Sequence, residues 1–131
     1  MRDPAPPPPP AARPVATSPY EAVAGQWSGT GVQYDTMGDW PFVMQLRSDA
    51  GVGEVVGRIE YPTLHCTSEL IREPEERGTL VMTERLTSGA GLCVDQGTVR
   101  FARRPHGGKL DWRWYLPDGS EGARSVMTRV K

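Results

Sequence analysis

Glu84 is the residue whose chemistry most needs explaining. Leu80, Met82 and Leu86 alternate with polar neighbours in the period-2 pattern of a strand with one buried face, and Glu84 falls on that apolar face. A carboxylate taken out of water has to be paired or hydrogen-bonded. Two readings follow. Glu84 is a polar anchor or an acid/base group in a ligand cavity, satisfied by a polar or cationic group on the ligand, or it forms a structural ion pair with an inward-facing arginine. Trp27, Phe42, Met44, Tyr61, Trp112 and Trp114 also fall on apolar faces. They either line a pocket, with Trp27, Tyr61 and Trp114 as the walls around Glu84, or fill a small core.

Other chemistry is sparse. His65 and His106 are far apart in sequence, and His106 sits in a turn signal, Pro105-His106-Gly107-Gly108. The serines lie in turns or strands without a nucleophile-elbow pattern. A structural zinc site takes four ligands, and the two cysteines have only these histidines to add. A non-catalytic protein without cofactor or metal is therefore expected. Arg100, Arg103 and Arg104 form a basic cluster that reads as an anion site or as an ordinary charged outer face. The formal net charge of −1 argues against nucleic acid as a partner.

The elements that would position these residues are almost all strands. The 131 residues are sized for one domain. Trp27, Gly29 and Gly31 share the face of a first strand, and Phe42, Met44 and Leu46 that of a second. Val55, Gly57, Ile59 and Tyr61 mark a third, which Pro62 ends because it lacks a backbone donor. Leu64, Cys66, Ser68 and Leu70 then line the returning strand. The Glu84 strand follows, then a glycine-containing loop, Thr87 to Asp95, that carries Cys93. Val99 and Phe101, then Leu110, Trp112 and Trp114, mark two more strands, and Ala123 to Val130 a last one. About eight short strands joined by local turns predict an all-β, antiparallel up-and-down barrel, with an open sandwich as the alternative. Residues 20–131 form that domain. Residues 1–19, with consecutive prolines from Pro6 to Pro10, read as a disordered, polyproline-rich linker, either a spacer or a ligand for an SH3-like or WW-like groove.

Gly25-Gln26-Trp27 resembles the Gly-x-Trp signature on the first strand of lipocalin-like (calycin) barrels. Arg129, near the end of the last strand, matches the basic residue that packs across that tryptophan in calycins. A wider resemblance runs from Gln26 to Arg129 through Tyr61-Pro62-x-Leu64-x-Cys66, Glu84-Arg85-Leu86-Thr87-Ser88-Gly89, Cys93-Val94-Asp95 and Trp112. These residues resemble a small extracytoplasmic domain that follows proline-rich linkers in bacterial, notably actinobacterial, Ser/Thr protein kinases. The chain departs from that pattern at His65 and Ser68, where the family carries glycines. The resemblance implies a sensor or binding module, fused to or associated with a kinase.

Cys66 and Cys93 can be free core residues, metal ligands or a disulfide. Topology favours the bridge. Cys66 starts one strand of a hairpin, the next strand ends near Arg85 at the same end, and the loop carrying Cys93 emerges there. A bridge points to an oxidising compartment. Arg2 and Asp3 lead into prolines rather than the apolar stretch of a signal peptide, and no window is apolar enough to span a membrane. The expectation is an excised ectodomain, extracytoplasmic or secreted, that binds a small molecule or cell-envelope component. Ala24-Gly25-Gln26-Trp27 also resembles the first strand of small bacterial metalloprotease inhibitors, which makes a secreted protease inhibitor the alternative. A haem barrel with Gly-x-Trp-x-Gly-x-Gly fits less well, because no histidine follows Trp112.

Overall fold

Alternation of apolar and polar residues, broken at short intervals by Pro and Gly, gives strands that bury one face and must roll up to hide it. The computed structural model describes residues 20, 22–33, 39–103 and 108–130. The proline-rich segment 1–19, the turn at 34–38, and Arg104 and His106 lie outside the described residues. Eight strands follow one another: β1 (Gly25–Gln33), β2 (Asp39–Leu46), β3 (Val55–Tyr61), β4 (Cys66–Arg72), β5 (Leu80–Ser88), β6 (Gln96–Arg103), β7 (Lys109–Tyr115) and β8 (Glu121–Arg129). Each pairs antiparallel with the next, and β8 returns to β1, so the sheet is a closed barrel. The only helical turn among the described residues is a 3-10 turn, Pro62–Leu64, between β3 and β4. It ends at His65, which adopts φ 57°, the left-handed conformation that glycine takes most readily.

The expected inward faces are in place. Phe42, Met44, Ile59, Leu70, Met82, Val99, Phe101, Leu110, Trp112 and Met127 are all at most 1% exposed and fill the interior. Each such side chain contributes about 1.5–3 kcal/mol by leaving water. Two bulges shift the expected pattern. Between Val55 and Gly57 the register slips, so Val56 points inward and Val55, expected on the buried face, lies outside. β5 runs on to Ser88, with a second slip between Thr67 and Ser68. Arg85 therefore pairs with Glu69, and Cys66, expected near Arg85, sits beside Gly89.

The two ends of the barrel differ. The N-terminal turn folds under the end where β1 starts and β8 finishes, with Tyr20 and Val23 at 0% exposure. Trp27 Nε1 donates to the Val23 carbonyl at 2.8 Å. Arg72 lies over the Tyr20 ring at 4.7 Å and donates to the Ala50 carbonyl. Arg129 pairs across the β1–β8 seam with Trp27, and its guanidinium lies 4.4 Å from the indole centroid. It also donates to the carbonyls of Ala24 at 2.7 Å and Ala22 at 2.8 Å. One planar cation thus ties the first strand, the last strand and the N-terminal turn. Because Arg129 is exposed, its stacking is worth about 0.5–1 kcal/mol, with the backbone bonds adding to that. Arg129→Ala is expected to lower unfolding free energy by about 1–2 kcal/mol in urea titration. Arg129→Lys should recover less than half, since an ammonium cannot lie flat on the ring while bonding two carbonyls. A change of less than about 0.3 kcal/mol for the alanine variant would show that the seam closes without this contact.

Candidate ligand site

At the other end the described residues leave the barrel open. The β3–β4, β5–β6 and β7–β8 connections surround this mouth, and inside it lies a cavity of about 170 Å³. Its lining comes from five strands and two connections: Trp40, Tyr61, Glu84, Trp112, Trp114 and Ala123 from the strands, and Leu64, Leu92, Cys93 and Val94 from the loops. Three of the four residues expected as a site therefore meet here, namely Tyr61, Glu84 and Trp114. Trp27, expected as the fourth, is at the closed end, because its indole is held by Val23 and Arg129.

Glu84 is the polar centre of the cavity. It pairs with Leu70 on β4 and Gly97 on β6 and is 7% exposed. The Tyr61 hydroxyl donates to its Oε2 at 2.7 Å. The structural alternative, an inward arginine, is not what the barrel uses; the partner is a phenol. Arginines on this side of the sheet face outward, where Arg85 pairs with Glu69 and Arg100 with Glu76. The basic cluster is thus represented by Arg100, on the outer face. Glu84 Oε1 has no hydrogen-bond partner among the described residues, and neither does Trp112 Nε1. Burial pushes the Glu84 carboxyl up to about 6, against the downward pull of the Tyr61 and Ser68 hydroxyls. Burial first, then the charge of Glu84, pushes Tyr61 well above the ordinary phenol range, so Tyr61 remains the donor.

Glycines let the large rings into so narrow a space. Trp40 lies against Gly31, its cross-strand partner on β1, so closely that a Cβ there would be 2.3 Å from the indole. Trp114 covers Gly97 in the same way, at 2.4 Å. Trp40 then meets Tyr61 edge-on at 5.1 Å between centroids and Trp112 at 6.2 Å. Trp40 did not stand out as a site residue because Pro41 interrupts its strand. Its alternation with Phe42 and Met44 was the signal for it.

The rim is held by the expected disulfide, Cys66–Cys93, with Cα atoms 6.6 Å apart. Gly89, at φ 96°, turns the chain so tightly that a Cβ would strike Cys66 Sγ at 2.7 Å. The bridge draws the loop across the mouth, leaving Leu92 and Val94 exposed at 67% and 49%. Nothing in the sequence pattern of that loop marks them as rim residues until the bridge is drawn. Among the described residues, no three His, Cys, Asp or Glu side chains come together as metal ligands.

A larger, shallower cleft of about 650 Å³ crosses the outside of β1–β5, past Gln26, Gln45, Arg58, Thr67, Glu69 and Thr87. Its charges are matched, with Arg58 against Glu60 and Glu69 against Arg85. The Thr67 hydroxyl is shared with Thr87 and Ser88. Of the two, the mouth is the one whose lining includes buried polar atoms without a partner among the described residues, Glu84 Oε1 and Trp112 Nε1.

Compared with protein-family models, curated proteins and solved structures, the chain matches none. Fold and site define a small barrel, latched at one end and open at an aromatic, acidic mouth at the other.

The elevated Glu84 pKa makes a prediction about stability. The native state holds a proton on Glu84 between the ordinary value of 4.5 and about 6, a range in which the unfolded chain has lost it. Its contribution to stability is therefore present below 4.5 and lost as pH rises through about 6. The loss amounts to about 2 kcal/mol. Glu84→Gln removes this titration. Urea unfolding at pH 4 and pH 7 should show wild type losing about 2 kcal/mol relative to the variant. A relative gain for wild type would mean Glu84 is held ionised by a favourable partner.

Proposed function

We propose that this domain is a non-catalytic binding module that takes a small ligand, or one group of a larger one, into the mouth of the barrel. The observation that carries the reading is Glu84 Oε1, a buried carboxylate oxygen without a partner among the described residues, at a cavity walled by tryptophans. A buried polar group left unpaired costs about 1–3 kcal/mol, and a ligand that bonds it recovers that loss. The cavity resembles ordinary ligand sites in being mostly aromatic and aliphatic with few polar groups. It is much smaller than the roughly 300–1,000 Å³ that encloses a drug-sized molecule. At about 170 Å³ it matches a group of about benzene size.

Binding is favoured over catalysis by what the lining contains. Glu84 and Tyr61 are its titratable groups, and Cys93 is tied in a disulfide. The bridge fits an oxidising environment, so we place the domain outside the cytoplasm, in the sensor role that the kinase-linked resemblance implies. The protease-inhibitor reading depends on an N-terminal trunk that lies outside the described residues.

Screening fragments of about six to eight heavy atoms by nitrogen-15 NMR tests the proposal. Binding should shift the indole N–H signals of Trp40, Trp112 and Trp114 and the amides of Leu92 to Val94, and leave Trp27 in place. Ala123→Leu, which fills part of the cavity, should abolish those shifts in a folded protein. Shifts confined to the outer cleft around Gln26 and Gln45 would move the site elsewhere.

A further inference from the structure

The charge balance of the mouth says more about its ligand than its shape does. Glu84 is buried with only hydroxyls beside it, Tyr61 on β3 and Ser68 on β4. Its cross-strand neighbours are Leu70 and Gly97, which carry no charge. Among the described residues no arginine or lysine forms an ion pair with it, and none contributes to the lining. The walls are aromatic: Trp40, Tyr61, Trp112 and Trp114 line the cavity, and the faces of such rings attract cations, although Trp112 Nε1 is an unpartnered donor among them. Oε1 is free to accept a hydrogen bond.

We infer that the mouth cavity selects a protonated amine over a neutral or anionic group of the same shape. The inference rests on the cavity being a ligand site. An ammonium N–H meets the unpartnered Oε1 with a charge-assisted bond, which is roughly twice as strong as a neutral one. It also gains from the surrounding rings in a desolvated setting. An alcohol of equal size can make the hydrogen bond but leaves the buried charge uncompensated. A carboxylate meets repulsion from the ionised Glu84. The volume of about 170 Å³ limits the enclosed part to a small alkyl or benzyl ammonium group. Whatever the amine is attached to extends past Leu92 and Val94.

The test uses matched probes at pH 7.5 on the whole chain: isobutylamine against isobutanol, and benzylamine against benzyl alcohol and benzoate. Affinities are read by calorimetry and by the indole N–H shifts. Each amine is expected to bind at least about tenfold tighter than its alcohol, with benzoate weakest. Glu84→Gln should cut the amine preference to about threefold or less while the alcohols still bind. If that variant does not fold, the three-way comparison in wild type decides alone. Amine and alcohol within about twofold of each other in wild type would overturn the inference and leave the cavity standing as a ligand site. If none of the five probes moves the mouth resonances at about 10 mM, the cavity reading fails and the amine preference with it.

Discussion

An eight-stranded barrel has an interior just wide enough for its own side chains, so each inward position competes with its neighbours for space. Here the middle layers are settled by Phe42, Met44, Ile59, Leu70, Met82 and Phe101, all almost wholly buried. What remains to be decided is what happens at the two ends, where the layers run out and the inward side chains meet water. The chain handles the two ends in opposite ways. One is filled by Tyr20, Val23 and Trp27 and tied by Arg129. The other is given large rings, a carboxyl group and a gap.

The asymmetry follows from residue types. At the closed end Trp27 donates to the Val23 carbonyl and Arg129 to those of Ala22 and Ala24, while Arg72 Nε has no hydrogen-bond partner among the described residues. At the open end Tyr61 satisfies one oxygen of Glu84 and the other is left over. A leucine in place of Glu84 would fill the space at lower free energy, since burying a charge without its counter-charge is unfavourable. The disulfide offsets such losses. Its ends are 27 residues apart in sequence, and closing a loop of that length contributes about 3–4 kcal/mol in the chain-entropy account. It also fixes the loop that carries Leu92 and Val94 over the gap.

Much of this was legible in the sequence, for a physical reason. Period-2 alternation with a turn at almost every dozen residues leaves few architectures open, and the strands and the closure follow. Hairpin topology then favours the Cys66–Cys93 bridge, while the Arg129–Trp27 contact was implied by the calycin resemblance. The inward position of Glu84 was legible for the same reason. Its partner was not, because alternation says which face a residue takes but not which neighbour across the barrel it reaches. That depends on register, and register here includes slips at Val55/Gly57 and Thr67/Ser68. Trp27 was assigned to the same site as Tyr61 because both face inward, and a face contains no information about height along the barrel axis. Trp40 and Leu92 were hidden by Pro41 and by the glycine-rich loop respectively.

The central claim is that Glu84 is a buried carboxyl group that no cation among the described residues compensates, and that the proposed cationic ligand does. Carbon-13 NMR titration of the Glu84 side-chain carboxyl measures this directly. In the free protein the midpoint should lie near 6. Because linkage is reciprocal, a ligand that binds the ionised form about tenfold better must lower that midpoint by about one pH unit at saturation. Saturating benzylamine should therefore bring it down toward 5. A midpoint near 4.5 in the free protein, or one that benzylamine leaves unmoved while occupying the cavity, would contradict the account.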